Sequence, residues 1–358
     1  MNRWLKIFAL IGLVGCPLPA VKAWNAEGHM GVAQLAYNHL NPIAKAKCDA
    51  LIAVNLGTFS SAATSTFVTA SVWADDFKSA LGTSNWHYID LPFSLDGTTT
   101  NGFVPPSFDV VQAINLCVTN LQNPTLTQSN QAVCLRYLLH FIGDIQQPLH
   151  CSTAMFAAKP AGDAGGNGFG LVGTWSNLHF LWDDGGGVLL DSLPRPLSAA
   201  SQNLLNTRVA TIEADYPYDY TTNVGTLPNP LAWAQEGKGI AQTVCYVGIT
   251  RNSTPSSAYL TTAMSTTEQR LAQGGHRLAD LLNTLYPPNA IVLNLPRLMS
   301  GNLAFSWNTS TGGVYQVQWK PSLTSATWTV LTNLTATGGS LSFTDSVTSA
   351  QRFYRIAQ

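Results

Sequence analysis

The stretch Arg136–His150, RYLLHFIGDIQQPLH, decides how the rest of the chain is read. His140 and Asp144 are four apart, which on a helix puts both on one face, one turn apart. Tyr137, Leu138, Leu139, Phe141, Ile142 and Ile145 surround them, so the helix is expected to be largely buried. A carboxylate in such an interior is costly unless it is paired or bound to metal. Pro148 ends the helix and His150 follows just beyond it. His, Asp and a second His in this setting read as metal ligands. A core His bonded to its neighbouring Asp is the plainer alternative.

Outward from this stretch, the same spacing recurs at His179 and Asp183 in NLHFLWD. Asp75 lies twelve residues before His87, and His29 stands near the start of the helical part. Two His–Asp pairs inside apolar, aromatic runs, with three further histidines, predict a multinuclear metal site. No cysteine lies in a CxxC pair, so a zinc–thiolate site is not expected. A His/Asp set suits zinc in a catalytic site, with manganese and other divalent ions open. Clustered divalent ions generate hydroxide near neutral pH and hold the oxygens of a phosphoester. His39 and His276 are assigned to ordinary helix surface. His39 has no acidic neighbour at ligand spacing. His276 has Asp280 four residues on, but Gly274-Gly275 before it and Arg277 after it read as a solvated helix start.

The chain has 358 residues, 46% apolar and 10% charged, which is ample for a large core and excludes disorder. Helical spacing dominates through Tyr286. After Pro287-Pro288 the pattern alternates with period two, as in Tyr315-Gln316-Val317-Gln318-Trp319, with Gly-Gly turns between runs. The expected architecture is an all-α catalytic domain over residues 24–286, a linker at 287–290, and a small β-sandwich of the immunoglobulin or fibronectin kind over 291–358. Residues 1–23 read as an export signal, with Val21-Lys22-Ala23 as the cleavage site and Trp24 as the new N-terminus. Leu13-Val14-Gly15-Cys16 competes as a lipoprotein box that would leave Cys16 lipidated. The expected location is secreted or periplasmic, or anchored through Cys16. No other run approaches the roughly 18 apolar residues that span a membrane.

Cleavage removes Arg3, Lys6 and Lys22, leaving 15 basic residues of 18 against 19 acidic, a net charge of −4. That excludes a broad basic surface, so nucleic-acid phosphates would have to be attracted by local metal charge. Cys48, Cys117, Cys134, Cys151 and Cys245 persist after cleavage. Export permits disulfides among them, and the odd count leaves at least one thiol free.

With these motifs in view, the chain resembles the zinc-dependent single-strand nucleases of fungi, their plant bifunctional relatives and secreted bacterial homologues. The matching residues are WNAEGH, WADDFK, WHYID, LLHFIGDIQQPLH, GDAGGN, NLHFLWD, PLAWAQE and RLAQGGHRLADLLN, in the family's order from Trp24 to about Tyr286. The resemblance implies the helical fold shared by these nucleases and phospholipases C, with three zinc ions in a cleft. The first ion would take Asp75, His87, His140 and Asp144, and the second His150, His179 and Asp183. The third would take the α-amino group and carbonyl of Trp24 with His29 and Asp144, so that Asp144 bridges two ions. A free Trp24 amino group argues for cleavage after Ala23 over lipidation.

The resemblance further implies cleavage of single-stranded DNA and RNA, and of 3′-nucleotides, to 5′-phosphorylated products by a metal-bridged hydroxide. Lys78 would stabilise phosphoryl charge, and Asp90 would support the site by hydrogen bonding. Asp163 and Asn167 would contact the nucleotide from a glycine-rich loop. Phe169, Trp175 and Tyr88 are candidate base-stacking aromatics. No stable protein partner is expected; the C-terminal domain is a candidate for contact with a surface or polymer. A zinc phospholipase C is the alternative reading, and a non-catalytic surface-binding protein carried by the β-domain a second.

Overall fold

The computed structural model describes residues 24–189, 192–218, 228–287, 291–294, 296–299, 301–346 and 351–357. The expected export signal, Cys16 and all of the expected linker except Pro287 lie outside them. The chain divides into two compact units. One runs to His39 and resumes from Cys48 to Leu281; the other takes Leu40–Lys47 and the chain from Leu282 onward.

The first unit is built from helices. They are α1 (Ala26–His39), α2 (Pro42–Ile52), α3 (Phe67–Ala70), α4 (Trp73–Leu81), α5 (Val110–Leu121), α6 (Gln128–Asp144), α7 (Leu178–Asp183), α8 (Ala199–Asp215), α9 (Pro230–Ile240) and α10 (Ser257–Leu285). The start of α2 and the end of α10 cross the division between the units. A two-stranded parallel pair, β1 (Pro92–Ser94) and β2 (Thr153–Met155), is an addition to the all-α expectation. It registers the segment after His87 against the segment after His150.

Helix α6 is the centre of this unit, packed against α1, α4 and α5. Thr127 caps its first turn by accepting from the Asn130 N–H, and every residue from Cys134 to Asp144 is buried. Arg136 tolerates this because its guanidinium donates to the Ile52 carbonyl at 2.7 Å and the Ala132 carbonyl at 3.1 Å. At the far end α6 stops at Asp144, and Pro148 opens a single 3-10 turn, Pro148–Cys151, that carries His150. Asp109 caps the first turn of α5. Its carboxylate accepts from Val111 and Gln112 N–H, and the Gln112 side chain accepts from the Asp109 N–H in return.

Two of the matching motifs, PLAWAQE and RLAQGGHRLADLLN, meet in one ion cluster. Glu236 of α9 pairs with Arg270 at 3.0 Å and Arg277 at 2.6 Å, both from α10. The same arginines bond the carbonyl and side chain of Gln146, two residues past Asp144. Gly274-Gly275 is not a helix start: it lies inside α10, where that helix crosses α1. A Cβ on Gly275 would stand 2.3 Å from the Leu35 Cβ. His276 beside it is fully buried, which corrects its assignment to the surface. Cys48, Cys117, Cys134, Cys151 and Cys245 are all buried, with free thiols in the structure. Cys117 and Cys134 lie on neighbouring helices and hydrogen bond to each other; the others sit apart on separate elements.

The second unit holds β3 (Arg297–Met299), β4 (Asn302–Asn308), β5 (Val314–Lys320), β6 (Thr329–Thr335), β7 (Ser340–Ser346) and β8 (Phe353–Ala357). They form two antiparallel three-stranded sheets, ordered β3-β4-β7 and β6-β5-β8. Alternate residues Phe305 and Trp307 of one sheet share a core with Tyr315 and Val317 of the other.

The α1–α10 crossing yields a stability test. Gly275→Ala should cost about 1–3 kcal/mol through overpacking, measured by denaturant unfolding. Gly239→Ala, in α9 with no atom near its would-be Cβ, should instead stabilise by about 0.5–1 kcal/mol.

Candidate active site

The end of α6, the turn after it, and α1, α4 and α7 bring the predicted histidines and aspartates together. His87 Nδ1 lies 3.0 Å from Asp144 Oδ2 and 3.0 Å from His140 Nε2. His140 Nε2 lies 3.3 Å from Asp144 Oδ2 and 3.6 Å from Asp75 Oδ1, and His87 Nδ1 is 3.7 Å from that same Asp75 oxygen. Donor atoms around a tetrahedral zinc stand about 3.3 Å apart, given bonds of about 2.0–2.1 Å. These four side chains have that spacing.

The second group has it too. His150 Nε2 is 3.1 Å from His179 Nε2, and Asp183 stands 3.5 Å from His179 and 3.9 Å from His150. His29 Nε2 approaches the other oxygen of Asp144, Oδ1, at 3.4 Å. Trp24 is fully buried beside it, its indole N–H donating to the Gly143 carbonyl at 3.0 Å.

Backbone carbonyls aim the imidazoles. His140 Nδ1 bonds the Ser71 carbonyl, His150 Nδ1 that of His87, and His179 Nδ1 that of Gly165, at 2.6, 2.8 and 2.6 Å. Each bond fixes a tautomer whose Nε2 lone pair faces the cluster, as metal-ligating histidines require. Burial holds His29, His87 and His140 below their ordinary pKa, so they are neutral. Burial likewise pushes Asp144 and Asp183 well above the usual carboxylate range. Burial also raises Asp75, but His140, His87 and Lys78 outweigh it and bring the group down to about 2.

Asp144 provides the test of fit for a cation. It has no exposed surface, and neither carboxylate oxygen has a hydrogen-bond donor among the described residues. A buried carboxylate in that state is uncompensated unless positive charge is bound beside it. The donor set of neutral imidazoles and carboxylates fits zinc and similar divalent ions.

Lys78, also expected at the site, is buried on the same face of α4 as Asp75 and pairs with it at 2.8 Å. Asp90 makes no hydrogen bond to the His/Asp groups among the described residues; burial, then the charge of Asp163, raises it to about 7. Asp163 is buried, accepting from Ala154 N–H at 2.9 Å and the Tyr246 hydroxyl at 2.7 Å. Asn167 is half-buried in the same loop and donates to the Ala164 carbonyl. Phe169 and Trp175 belong to the core, whereas Tyr88 stays partly exposed.

Three further residues shape the site without being evident from the motifs. A Cβ on Gly143 would meet His29 Nδ1 at 2.8 Å, so only glycine admits that ring. Gln147 donates to Asp183 at 2.7 Å. Gly165, at φ +59°, would place a Cβ 2.2 Å from the Leu149 carbonyl. The loop glycines thus let backbone approach the protein's own His150 turn. The place of Gly143 and Gln147 inside the central stretch, between its His and Asp residues, is the signal that could have found them.

A helical unit that gathers these side chains has the make-up of a metal-dependent hydrolase. The chain belongs to the S1/P1 nuclease family, whose model matches residues 24–287. It is 26% identical to Endonuclease 4 of Arabidopsis thaliana over 316 residues, 80% of this chain and 96% of that protein. It is likewise 26% identical to Nuclease P1 of Penicillium citrinum over 294 residues, 74% and 98% respectively. Identity to Nuclease S1 of Aspergillus oryzae is 26% over 286 residues, 73% and 91%. The protein is accordingly a hydrolase of phosphodiester bonds that acts on nucleic acid.

Two outcomes follow from the electrostatics. After chelation, Asp144→Asn should stabilise the protein by about 1–3 kcal/mol by removing the uncompensated carboxylate; with metal restored it should destabilise. Melting curves with and without EDTA read both signs. The second concerns Asp90, whose folded pKa is raised. Its contribution favours folding below the ordinary carboxyl range and is lost as pH rises through about 7. In chelated protein, Asp90→Asn should raise the melting temperature at pH 8 relative to that at pH 5, compared with the wild type. An unchanged pH gap in the variant would refute the assignment.

Proposed function

We propose that the protein is a zinc-dependent nuclease of single-stranded DNA and RNA, with 3′-nucleotidase activity, that leaves 5′-phosphorylated products. The observation that carries this reading is Asp144. Its two oxygens face different histidines, Oδ1 toward His29 and Oδ2 toward His87 and His140. One carboxylate is thereby offered to two ions.

Asp75, His87, His140 and Asp144 would hold one zinc, and His150, His179 and Asp183 a second. His29, Asp144 and the amino group and carbonyl of Trp24 would hold a third. Zinc bound there supplies ionised water at neutral pH and positive charge for the phosphoryl oxygens. Lys78, held against Asp75, adds a fixed cation where phosphoryl charge develops. Asn167, half-buried at the loop, would meet the nucleotide. Asp163 supports that loop through Ala154 and Tyr246, and its charge adds to the burial that keeps Asp90 protonated toward neutral pH. Tyr88 offers a partly exposed ring to an unstacked base, which a flexible single strand can present and a duplex cannot.

The Trp24 ligand requires export with cleavage after Ala23, giving a secreted or periplasmic enzyme. The buried Trp24 side chain, anchored on Gly143, supports it. For the second unit, the shared core of its two sheets supports an immunoglobulin- or fibronectin-like sandwich, an accessory module for a surface or polymer.

A substrate panel tests the reading. Single-stranded DNA and RNA should be cleaved to 5′-phosphorylated products and a 3′-mononucleotide dephosphorylated, with both activities lost in EDTA and restored by zinc. Asp144→Ala should abolish them and lower bound metal by more than about one ion per chain. Release of phosphocholine from phosphatidylcholine with nucleic acid untouched would make the protein a phospholipase instead.

A further inference from the structure

A second cluster of metal-binding side chains lies elsewhere in the helical unit. His39 ends α1, Glu213 lies in the last turn of α8, and His276 sits in the buried part of α10. His39 Nε2 is 2.7 Å from Glu213 Oε1, and one donor atom from each of the three residues lies within 4.8 Å of the others. The His39 and His276 rings meet edge to face at 5.4 Å. Tyr218 stacks on His39 at 4.5 Å, meets His276 edge-on at 5.0 Å, and bonds Asp280 through its hydroxyl. Asp280 is one turn beyond His276 on α10.

From this geometry we propose that His39, Glu213 and His276 bind one divalent transition-metal ion of the zinc type, with Asp280 beside them as a further carboxylate. None of these residues belongs to the nuclease centre, so the proposal stands apart from that reading.

A His–Glu hydrogen bond accounts for the meeting of His39 and Glu213. It does not account for a second imidazole brought to the same point from a third helix, nor for the Tyr218-tethered carboxylate that comes with it. Two imidazoles and a carboxylate converging from separate helices are a zinc-type donor set, whereas calcium and magnesium prefer oxygen alone. Burial, then the charge of His39, holds His276 down to about 4, so its ring is neutral and its lone pair is available at physiological pH. Two carboxylates beside such rings leave local negative charge that a dication balances. The C-terminal end of α1 adds its dipole in the same sense. The side chains of His39 and Glu213 are 29% and 25% exposed, which gives an ion a way in. The 2.7 Å pair would open by several tenths of an ångström to admit it, since donor atoms around zinc stand about 3.3 Å apart. Bound there, the ion would tie together α1, α8 and α10, which are far apart along the chain.

The test compares the full chain with His39→Gln and Glu213→Gln, both at partly exposed positions so that folding is preserved. Each protein is dialysed against micromolar zinc, and bound metal is counted by elemental mass spectrometry. Each variant should carry ~1 zinc fewer per chain than the wild type. The rise in its melting temperature on adding zinc to chelated protein should be smaller than in the wild type, and its nuclease rate unchanged. Equal zinc content in the wild type and either folded variant would overturn the proposal. Metal lost on Asp144→Ala alone reports on the nuclease centre, so the two readings fail separately.

Discussion

The carboxylate of Asp144 is the constraint on which the helical unit depends. It is carried to the bottom of the site by the buried half of α6, and neither oxygen has a hydrogen-bond partner among the described residues. Burying a lone carboxylate costs several kcal/mol even after relaxation, so a fold that keeps it there must supply compensating charge. The neighbours are arranged for that. Neutral imidazoles cannot balance a negative charge, but they can share a cation with it. Three of them are pinned by carbonyl bonds that turn the other nitrogen inward. In cation-free protein the same arrangement raises the carboxyl pKa values of Asp144 and Asp183 and lowers those of His29 and His87. Both shifts have one leading cause, burial, which disfavours the charged form of each group.

Holding those donors to within tenths of an ångström needs support from outside the cluster. Glu236, Arg270 and Arg277 form an ion group that reaches toward the site through Gln146. Buried ion pairs add little net stability, but breaking one leaves a buried charge unpaired. They therefore specify where the turn after α6 must lie. Asn25 does similar work at the other side, bonding the Asp183 carbonyl through its backbone and Asp184 through its side chain. Motifs far apart in sequence, from WNAEGH to RLAQGGHRLADLLN, thus converge as supports of one short segment.

The donor residues are legible in sequence because chemistry restricts them: a His four before an Asp in an apolar run is costly to bury unless its charge is answered. The alternation after Pro287-Pro288 is legible for a similar reason, since period two has a single structural meaning. Residues whose role is steric leave no comparable mark. Gly143 reads as one more small residue in a helix, yet it makes room for His29. Gly274-Gly275 reads as a helix start because glycine is a poor helix former. Here it serves close packing of α10 on α1, a tertiary fact that no local pattern encodes. Phe169 and Trp175 are candidate base platforms by their place in the chain, but the core claims them.

The His-x-x-x-Asp spacing occurs at three places, His140, His179 and His276, and its meaning differs between them. At His140 and His179 the flanking residues are apolar and aromatic, so the pair must be buried and its charge answered. At His276 the flanking Gly-Gly and Arg277 suggest water. The structure reverses that inference for a reason internal to the helix. Glycine draws α10 against α1, which buries the next residue, while Arg277 is consumed by Glu236 and Gln146. The polar neighbours that make His276 look solvated are the ones that bury it. Spacing on one helix thus places two donors side by side; whether they face water or an ion is decided by the helices that cross them.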